Sequence, residues 1–483
     1  GKAKKGEKIQ KPGYKPIEPP AGQESLYAMQ FKRMPIEQVE EKFIDFSDVR
    51  VQPLNDRSKL YYTPNSENNV FSLTLRYGAG EREFPKLGIA ADLMNDAGVM
   101  GAYEPQQLKE ELSKLNATCQ VWASDDYLYI MMRGYEQTLP QACQLLSRQI
   151  LMPQLDDKQL SRIKGSILGA RQQRKDNVNT LADALSEYIL HGDKSSYIDE
   201  LTDQQMLELQ ISELTGDINR AANYEAEIFY CGTLPFEQVT QVLSQSLPLV
   251  ANERPSTSPQ DKPLAPVTEN TVYFLPNDDA EQAQIFFYLP MGAYDKQDDV
   301  LRDAFNQYFS GGFGGLVMNE IREKRSMAYY AGANVLTPAV PGNPTYMYGH
   351  LGTQNDKVND AVDVFMGLVT DMPLNPGRLD NIKGYLRQEA LSSHPDFRSK
   401  AQYLRAIQRM GYTADPAREN LPRIDALTFE DIVKFYKENI QGKNYAIGII
   451  GNPKMIDLDK LAQYGKVVKL SERKLFNTKD ALF

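Results

Sequence analysis

The run Ser310-Gly-Gly-Phe-Gly-Gly-Leu-Val-Met-Asn-Glu-Ile-Arg-Glu-Lys-Arg-Ser-Met-Ala-Tyr-Tyr330 sets Arg322 and Tyr329 seven residues apart. A guanidinium and a phenol are both donors that can be fixed before charge develops on a reacting oxygen, so the pair suits an oxyanion. The turn containing Gly311, Gly312, Gly314 and Gly315 is expected to launch a short helix, with Val317 and Ile321, four apart, facing the core. Arg322 then lies one position further round, and Tyr329 falls beyond the helix, where the chain enters Tyr330-Ala-Gly-Ala-Asn-Val335. Spacing alone also fits an exposed helix with a structural tyrosine at its foot, because charged helix faces are usually just solvated. No Lys-Ser/Thr follows the glycines, so they read as a tight turn and not as a phosphate loop.

Other reactive residues are sparse. His191, His350 and His394 are the only histidines, and no two have the spacing of metal ligands or of a catalytic triad. His350 is expected to end a strand and His394 to lie in the turn before Pro395, in packing or solvent roles. Cys119, Cys143 and Cys231 are odd in number, without a short-spaced pair, and read as small buried residues. Tyr346 and Tyr348, two apart on a strand, share a face, either as core-edge aromatics or as part of an extended substrate wall.

The elements that must position these residues come from a long chain. Its 483 residues imply several domains, with 41% hydrophobic and 24% charged residues, as in an ordinary globular protein. A net charge of −10 argues against nucleic acid as the main partner, and no apolar run is long enough to span a bilayer. Leu160-x-x-Ile163-Lys164-Gly165 recurs as Leu379-x-x-Ile382-Lys383-Gly384, and Tyr77-Gly78-Ala79 is matched by Met291-Gly292-Ala293. Leu214-Thr215 is matched with Leu427-Thr428, and Tyr230-Cys231-Gly232 with Ile449-Ile450-Gly451. Landmarks kept in order at such offsets indicate two copies of one domain, not a solenoid of short repeats.

Each copy runs from β-rich segments (Val70 to Tyr77; Gln284 to Leu289) through a helix, a strand pair and long helices to a final strand. That order predicts an α+β fold: two homologous domains, each a mainly antiparallel sheet covered on one face by helices. The expected boundaries are 1–44 for an N-terminal extension, 45–250 for the first copy, 251–268 for a Pro-rich linker and 269–483 for the second. Residues 1 to about 24, rich in Lys, Gly and Pro, are expected to be a poorly ordered tail.

The pattern Ile321-Arg-Glu-Lys-x-x-x-Ala-Tyr329 after a glycine-rich turn resembles one in the pitrilysin/insulinase family of zinc peptidases, with Ser326-Met327 where that family usually has Gly-Leu. The likeness extends from about residue 45 to the C-terminus. It implies that Arg322 and Tyr329 reach across a chamber, bind substrate backbone and stabilise the tetrahedral intermediate at a zinc site on another domain. It also implies peptide contacts from Gly311, Gly312, Gly314, Gly315 and Tyr330. The family's zinc motif, His-x-x-Glu-His with a later Glu, falls here on Ile89, Asp92 and Leu93, with the distal position near Gly169 or Ala170. Every ligand is missing, so Asp92 reads as a helix-surface carboxylate and no metal is expected in this chain.

The resemblance therefore implies the C-terminal, zinc-less half of a metalloendopeptidase. By this reading the chain is inactive alone, with zinc expected on a homologous partner half and peptide as substrate. A non-catalytic assembly subunit and a stand-alone peptide-binding homologue are the alternatives. The chain begins with Gly1, compatible with processing or a tag scar, and the bacterial periplasm is favoured over the cytoplasm.

Overall fold

The computed structural model describes residues 25–34, 40–247 and 254–477. The tail and the first residues of the 251–268 linker lie outside them. Runs rich in β-branched and aromatic residues become strands. The first six-stranded sheet contains β1 (Arg50–Pro53), β2 (Lys59–Pro64), β3 (Val70–Tyr77), β5 (Thr118–Ala123), β6 (Leu128–Tyr135) and β8 (Ala226–Gly232). A separate ribbon pairs β4 (Gly98–Val99) with β7 (Pro153–Gln154). The second six-stranded sheet contains β9 (Thr271–Pro276), β10 (Gln282–Ala293), β11 (Ala328–Leu336), β12 (Pro344–Gln354), β13 (Ala446–Gly451) and β14 (Lys466–Lys469).

Read edge to edge, the sheets run β1-β2-β8-β3-β6-β5 and β14-β9-β13-β10-β12-β11. In both, a parallel pair, β2–β8 or β9–β13, is followed by three antiparallel pairs. They differ at one edge, where β1 is antiparallel to its neighbour and β14 is parallel. The fold is α+β with mainly antiparallel pairing.

The helices that matter to the site and to the packing between the two sheets are, in chain order, α1 (Leu87–Met94), α2 (Asp157–Gln173), α3 (Val178–His191), α4 (Asp203–Glu208) and α5 (Ile211–Ala221) in the first half. The second half adds α6 (Asp299–Ser310), α7 (Leu379–Ser392), α8 (Lys400–Arg409), α9 (Pro416–Ala426) and α10 (Phe429–Asn439). One face of each sheet packs on helices of its own half. Leu73 and Leu75 meet Leu87 and Leu214, while Phe287 meets Phe305, Phe309 and Ile432.

The expectation of a single covered face is overturned, because each half lends a helix to the other's sheet. Leu181, Leu185 and Ile189 of α3 lie on Phe286, Tyr288 and Ile450 of the second sheet. Conversely, α8 crosses the first sheet, with Ala401 on Tyr61 and Phe229. Both faces of the central strands are thereby covered, and β13 is buried throughout.

The Pro-rich linker is a strap laid against both halves. Its Thr257 N–H donates to Gly78 O (2.7 Å), and Asp261 accepts from Ala339 N (2.7 Å), Val340 N (3.0 Å) and Asn343 Nδ2 (2.8 Å). A Cβ on Gly78 would sit 2.1 Å from Ser256 Oγ, so the strap's passage requires glycine there.

The repeated lysines do the same work in each half. Lys164 Nζ donates to Leu207 O (2.8 Å) and Leu209 O (2.6 Å), closing the end of α4. Lys383 Nζ donates to Asp425 O (2.7 Å) and Leu427 O (3.0 Å), closing the end of α9. Lysine suits this place because the last carbonyls of a helix lack partners and carry partial negative charge. The geometry corrects one expected match. Thr428 is the N-cap of α10, its hydroxyl accepting from Asp431 N, whereas Leu214 and Thr215 lie inside α5. Leu209-Gln210, with its own capping box to Glu213, is the counterpart of Leu427-Thr428.

Candidate functional site

The expected helix after the glycine turn does form, but over Met318–Glu323 it is wound as a π-helix. Lys324 N reaches back five residues to Asn319 O (2.9 Å), and Met327 N reaches six to Ile321 O (3.0 Å). Such a wide turn inserts an extra residue and is common at functional sites. Val317 and Ile321 are fully buried, so the inward face is as read from the sequence.

At the far end the chain closes through Ser326, whose φ of +50° is unusual for a residue with a side chain. The family resembled usually has glycine here, and the left-handed backbone supplies the reason: a Cβ in that conformation costs about 1–2 kcal/mol. The carbonyl of Met327 then accepts from the Thr353 hydroxyl of β12. Beyond the helix, as expected, Tyr329 lies inside β11, where it is the extra residue of a β-bulge. Ala328 pairs with Thr353 and Tyr330 with Gly352, so nothing on β12 opposes Tyr329. Bulges re-aim side chains, and this one leaves the Tyr329 ring 78% exposed.

Arg322 comes off the π-turn and lies over that ring, Cζ 5.9 Å from its centroid. Its Nε is 3.7 Å from Glu323, a loose pair that leaves the guanidinium side chain 39% exposed. The two donors border a cleft of about 450 Å³ whose other walls include Gln282, Glu323, Thr353 and Gln354. Glu320, Lys324 and Arg325 pair with one another. Burial pushes Glu320 up, but hydrogen bonds from Arg325 (2.5 Å) and Lys324 (2.6 Å) outweigh it and hold the carboxylate below its ordinary value. Chemically the cleft offers one guanidinium and one phenol to an oxygen-rich group.

The other expected peptide contacts do not wall this cleft. Gly312 takes a left-handed φ of +53°, and a Cβ on Gly315 would meet Ser310 C at 2.5 Å. Both are therefore required by the turn itself, whereas Gly314 has room for a side chain. Tyr330 lies against His350, ring centroids 5.3 Å apart. His350 sits within β12, not at a strand end, because its pairing with Gly332 and Phe286 continues on both sides. Its Nε2 is 2.7 Å from Gln284 Oε1, and burial lowers its pKa. Tyr346 and Tyr348 share the face under α3, where Tyr348 OH meets Ser186 Oγ at 2.7 Å. They belong to the core edge. His191 Nδ1 is 2.9 Å from Pro263 O, and His394 is exposed.

At the degenerate zinc-motif position Leu93 is buried in the core, Ile89 packs against it, and Asp92 is exposed on α1. Two aliphatic side chains cannot ligate zinc, so the residues present do not fit the metal. No group of three or more His, Cys, Asp or Glu among the described residues could hold a metal ion. The three cysteines are unpaired; burial pushes the thiols of Cys119 and Cys143 up to about 12 and that of Cys231 to about 11. No helix among the described residues is long and apolar enough to cross a membrane.

Comparison with known proteins agrees with the resemblance seen in the sequence. Residues 221–372 match the family model described as the peptidase M16 inactive domain. Comparison with curated protein sequences finds no match. Among solved structures, the M16 inactive domain from Pseudomonas fluorescens superposes with a TM-score of 0.66 at 18% identity, over 84% of this chain and 98% of that one. The periplasmic protease PqqL from Escherichia coli gives 0.65 at 13% identity, over 87% of this chain and 48% of PqqL. The ferredoxin protease FusC, solved as a mutant with Arabidopsis ferredoxin, gives 0.65 at 12%, over 88% and 49%. The chain thus spans the whole of one relative and about half the length of the two proteases. Residues 221–372 thus resemble the M16 inactive domain, and the chain shares the fold of these proteins.

Proposed function

We propose that this chain is the zinc-less half of an M16 endopeptidase, closing a chamber with a zinc-bearing half and binding extended peptide there. Arg322 and Tyr329 are its contribution to the reaction. The observation that carries the reading is the placement of Tyr329. Its phenol is held outward by a bulge, beneath a guanidinium, with a strained Ser326 keeping the loop closed. Strain of this kind persists where surrounding structure enforces it and clusters at functional sites.

In this reading Tyr329 donates to the oxyanion formed at the scissile carbonyl, and Arg322 holds a neighbouring substrate carbonyl. Zinc on the partner would supply Lewis-acid chemistry. Residues 45–250 and 269–483 are read as two copies of one domain, supported by the matching strand order of the two sheets. Gly311, Gly312, Gly314, Gly315 and Tyr330 are read as further contacts along the substrate channel, outside the Arg322–Tyr329 cleft. A protein or peptide substrate and a periplasmic setting accord with the descriptions of FusC and PqqL.

The test is to combine the chain with the polypeptide from the same source that carries His-x-x-Glu-His, and to assay an unstructured peptide. Losing one preorganised oxyanion donor costs on the order of 3 kcal/mol, about a hundredfold in rate. Tyr329→Phe should lower kcat by that factor with little change in KM, because the oxyanion exists only beyond the ground state. Arg322→Ala should also raise KM. Wild-type turnover by Tyr329→Phe would remove the catalytic role and leave a scaffold subunit.

A further inference from the structure

We propose that Asn306 and Ser310 are positioning residues for the Arg322–Tyr329 pair, acting through a side-chain clamp on the free edge of β11. The inference rests on the function proposed above. Asn306 Nδ2 donates to Val335 O (3.0 Å), and Val335 N donates to Asn306 Oδ1 (2.7 Å). One amide side chain thus makes the two hydrogen bonds that a neighbouring strand would make. One turn later on α6, Ser310 Oγ accepts from Ala333 N (2.9 Å).

These three bonds join the end of α6 to the strand that follows the motif. Everything between them, residues 311 to 332, is the excursion that contains the glycine turn, the π-helix, Arg322 and the bulge at Tyr329. Its entry and exit are therefore fixed to each other at the strand edge rather than through the excursion. The other restraint, Thr353 on the carbonyl of Met327, acts from the opposite side of β11. With both in place the bulge at Tyr329 has no freedom to slide along β12. Without the clamp, the ladder can regularise by taking Tyr329 into register, which would turn its ring from the cleft.

The molecule contains its own control. In the first sheet Asn95, just past the end of α1, makes the same pair of bonds to the edge strand β5: Nδ2 to Val121 O (2.9 Å) and Val121 N to Oδ1 (2.8 Å). The loop behind that clamp carries no Arg–Tyr pair, and the strand it caps has no bulge in its pairing with β6. The device therefore protects an exposed edge in both sheets, and only in the second is it coupled to a bulged tyrosine.

The experiment uses the full chain combined with its zinc-bearing half and an unstructured peptide substrate. Amide exchange at Val121 and Val335 is followed in parallel. Asn306→Ala should speed exchange at Val335 at least tenfold and lower kcat about tenfold, with KM within twofold of wild type. Asn306→Asp, which keeps the acceptor for Val335 N–H, should recover part of the rate. Asn95→Ala should speed exchange at Val121 as much and leave kcat unchanged. In a Tyr329→Phe background, Asn306→Ala should alter kcat less than twofold, because the group it positions is already gone. Where Asn306→Ala does not fold, Ser310→Ala removes a single bond and should show the same pattern at smaller size. Equal loss of kcat in Asn95→Ala and Asn306→Ala would overturn the proposal, as would an undiminished effect in the Tyr329→Phe background. A normal loss in Tyr329→Phe with inert clamp variants overturns the clamp alone. No loss in Tyr329→Phe overturns the functional reading and the clamp's role with it.

Discussion

The two lent helices solve one problem in opposite ways. On the second sheet α3 presents Leu181, Leu185 and Ile189, and beneath them lies Gly448, where a Cβ would be 3.2 Å from Ile189 Cγ2 and 3.3 Å from Leu185 Cγ. The absent side chain lets the helix settle on the strand. On the first sheet, the position matching Gly448 by the Tyr230-Cys231-Gly232 landmark is Phe229, whose ring fills that space. There α8 is held by long polar side chains. Arg405 Nε meets Glu227 Oε1 at 2.8 Å, Arg76 pairs with the same carboxylate, and Arg409 reaches Tyr127 OH at 2.9 Å. Arg76 also lies over the rings of Phe229 and Tyr127 at 5.0 and 4.8 Å. One glycine-to-aromatic difference separates a dry contact from a charged one.

The contrast is most directly broken on the apolar side. Leu185→Ala removes a fully buried side chain from the α3 contact, and large-to-small changes there cost about 3 kcal/mol. The denaturation midpoint should fall by a corresponding amount at every pH and salt concentration. A loss that varied with pH would mean the α3 contact is not the apolar one described.

Glu227→Gln should have a smaller effect, about 2 kcal/mol, because it leaves two arginines facing each other without their counter-charge in a partly dry site. This effect must depend on pH. Burial pushes Glu227 up, but Arg76 and then Arg405 outweigh it and hold the carboxyl below its ordinary value. A lowered native pKa contributes stability that is present above the ordinary carboxylate range and lost as pH falls through the native value. The gap between wild type and Glu227→Gln should therefore be full near neutrality and close in acid, while the Leu185→Ala gap stays constant. Parallel pH series of thermal unfolding for both variants would decide it.

The smallest effect sharpens a second contrast, between Gly312 and Ser326, which adopt the same left-handed backbone at the two ends of the motif. Only one of them is glycine. Ser326→Gly should raise stability by about 1 kcal/mol. If Ser326 is part of the working geometry, the gain should come with unchanged or slightly lower turnover. A loss of stability would show that the serine hydroxyl, not the backbone, decides this position.

Much of the frame was legible because it depends on local pattern. Val70 to Tyr77 reads as a strand and is one over those residues. The α+β class and the inward face of Val317 and Ile321 followed in the same way. Strands β2 and β9 escaped, since each is six residues long and ends in proline. The crossing of α3 and α8 was not legible either, because an apolar stripe says that a helix is buried but not against which sheet. At the site, residue type and spacing marked Arg322 and Tyr329, yet the bulge is a property of pairing with β12, which no local pattern encodes. The departure at Ser326-Met327 was visible, but the left-handed backbone at Ser326 was not. Asn95 and Asn306 were not legible as clamps, because their partners lie on strand edges distant in the chain.

The lent helices also bear on the order in which the molecule can be made. The first sheet is complete once Gly232 has been synthesised, but the helix that covers its outer face begins only at Lys400. At ordinary rates of translation that interval lasts roughly ten to thirty seconds. Through it Tyr61, Phe229 and the Arg76–Glu227 pair stand open to water, beside an α3 already made whose leucines have no sheet to rest on. Neither half can close before the other exists, so the nascent chain presents two unfinished surfaces at once until residue 410 or so has left the ribosome.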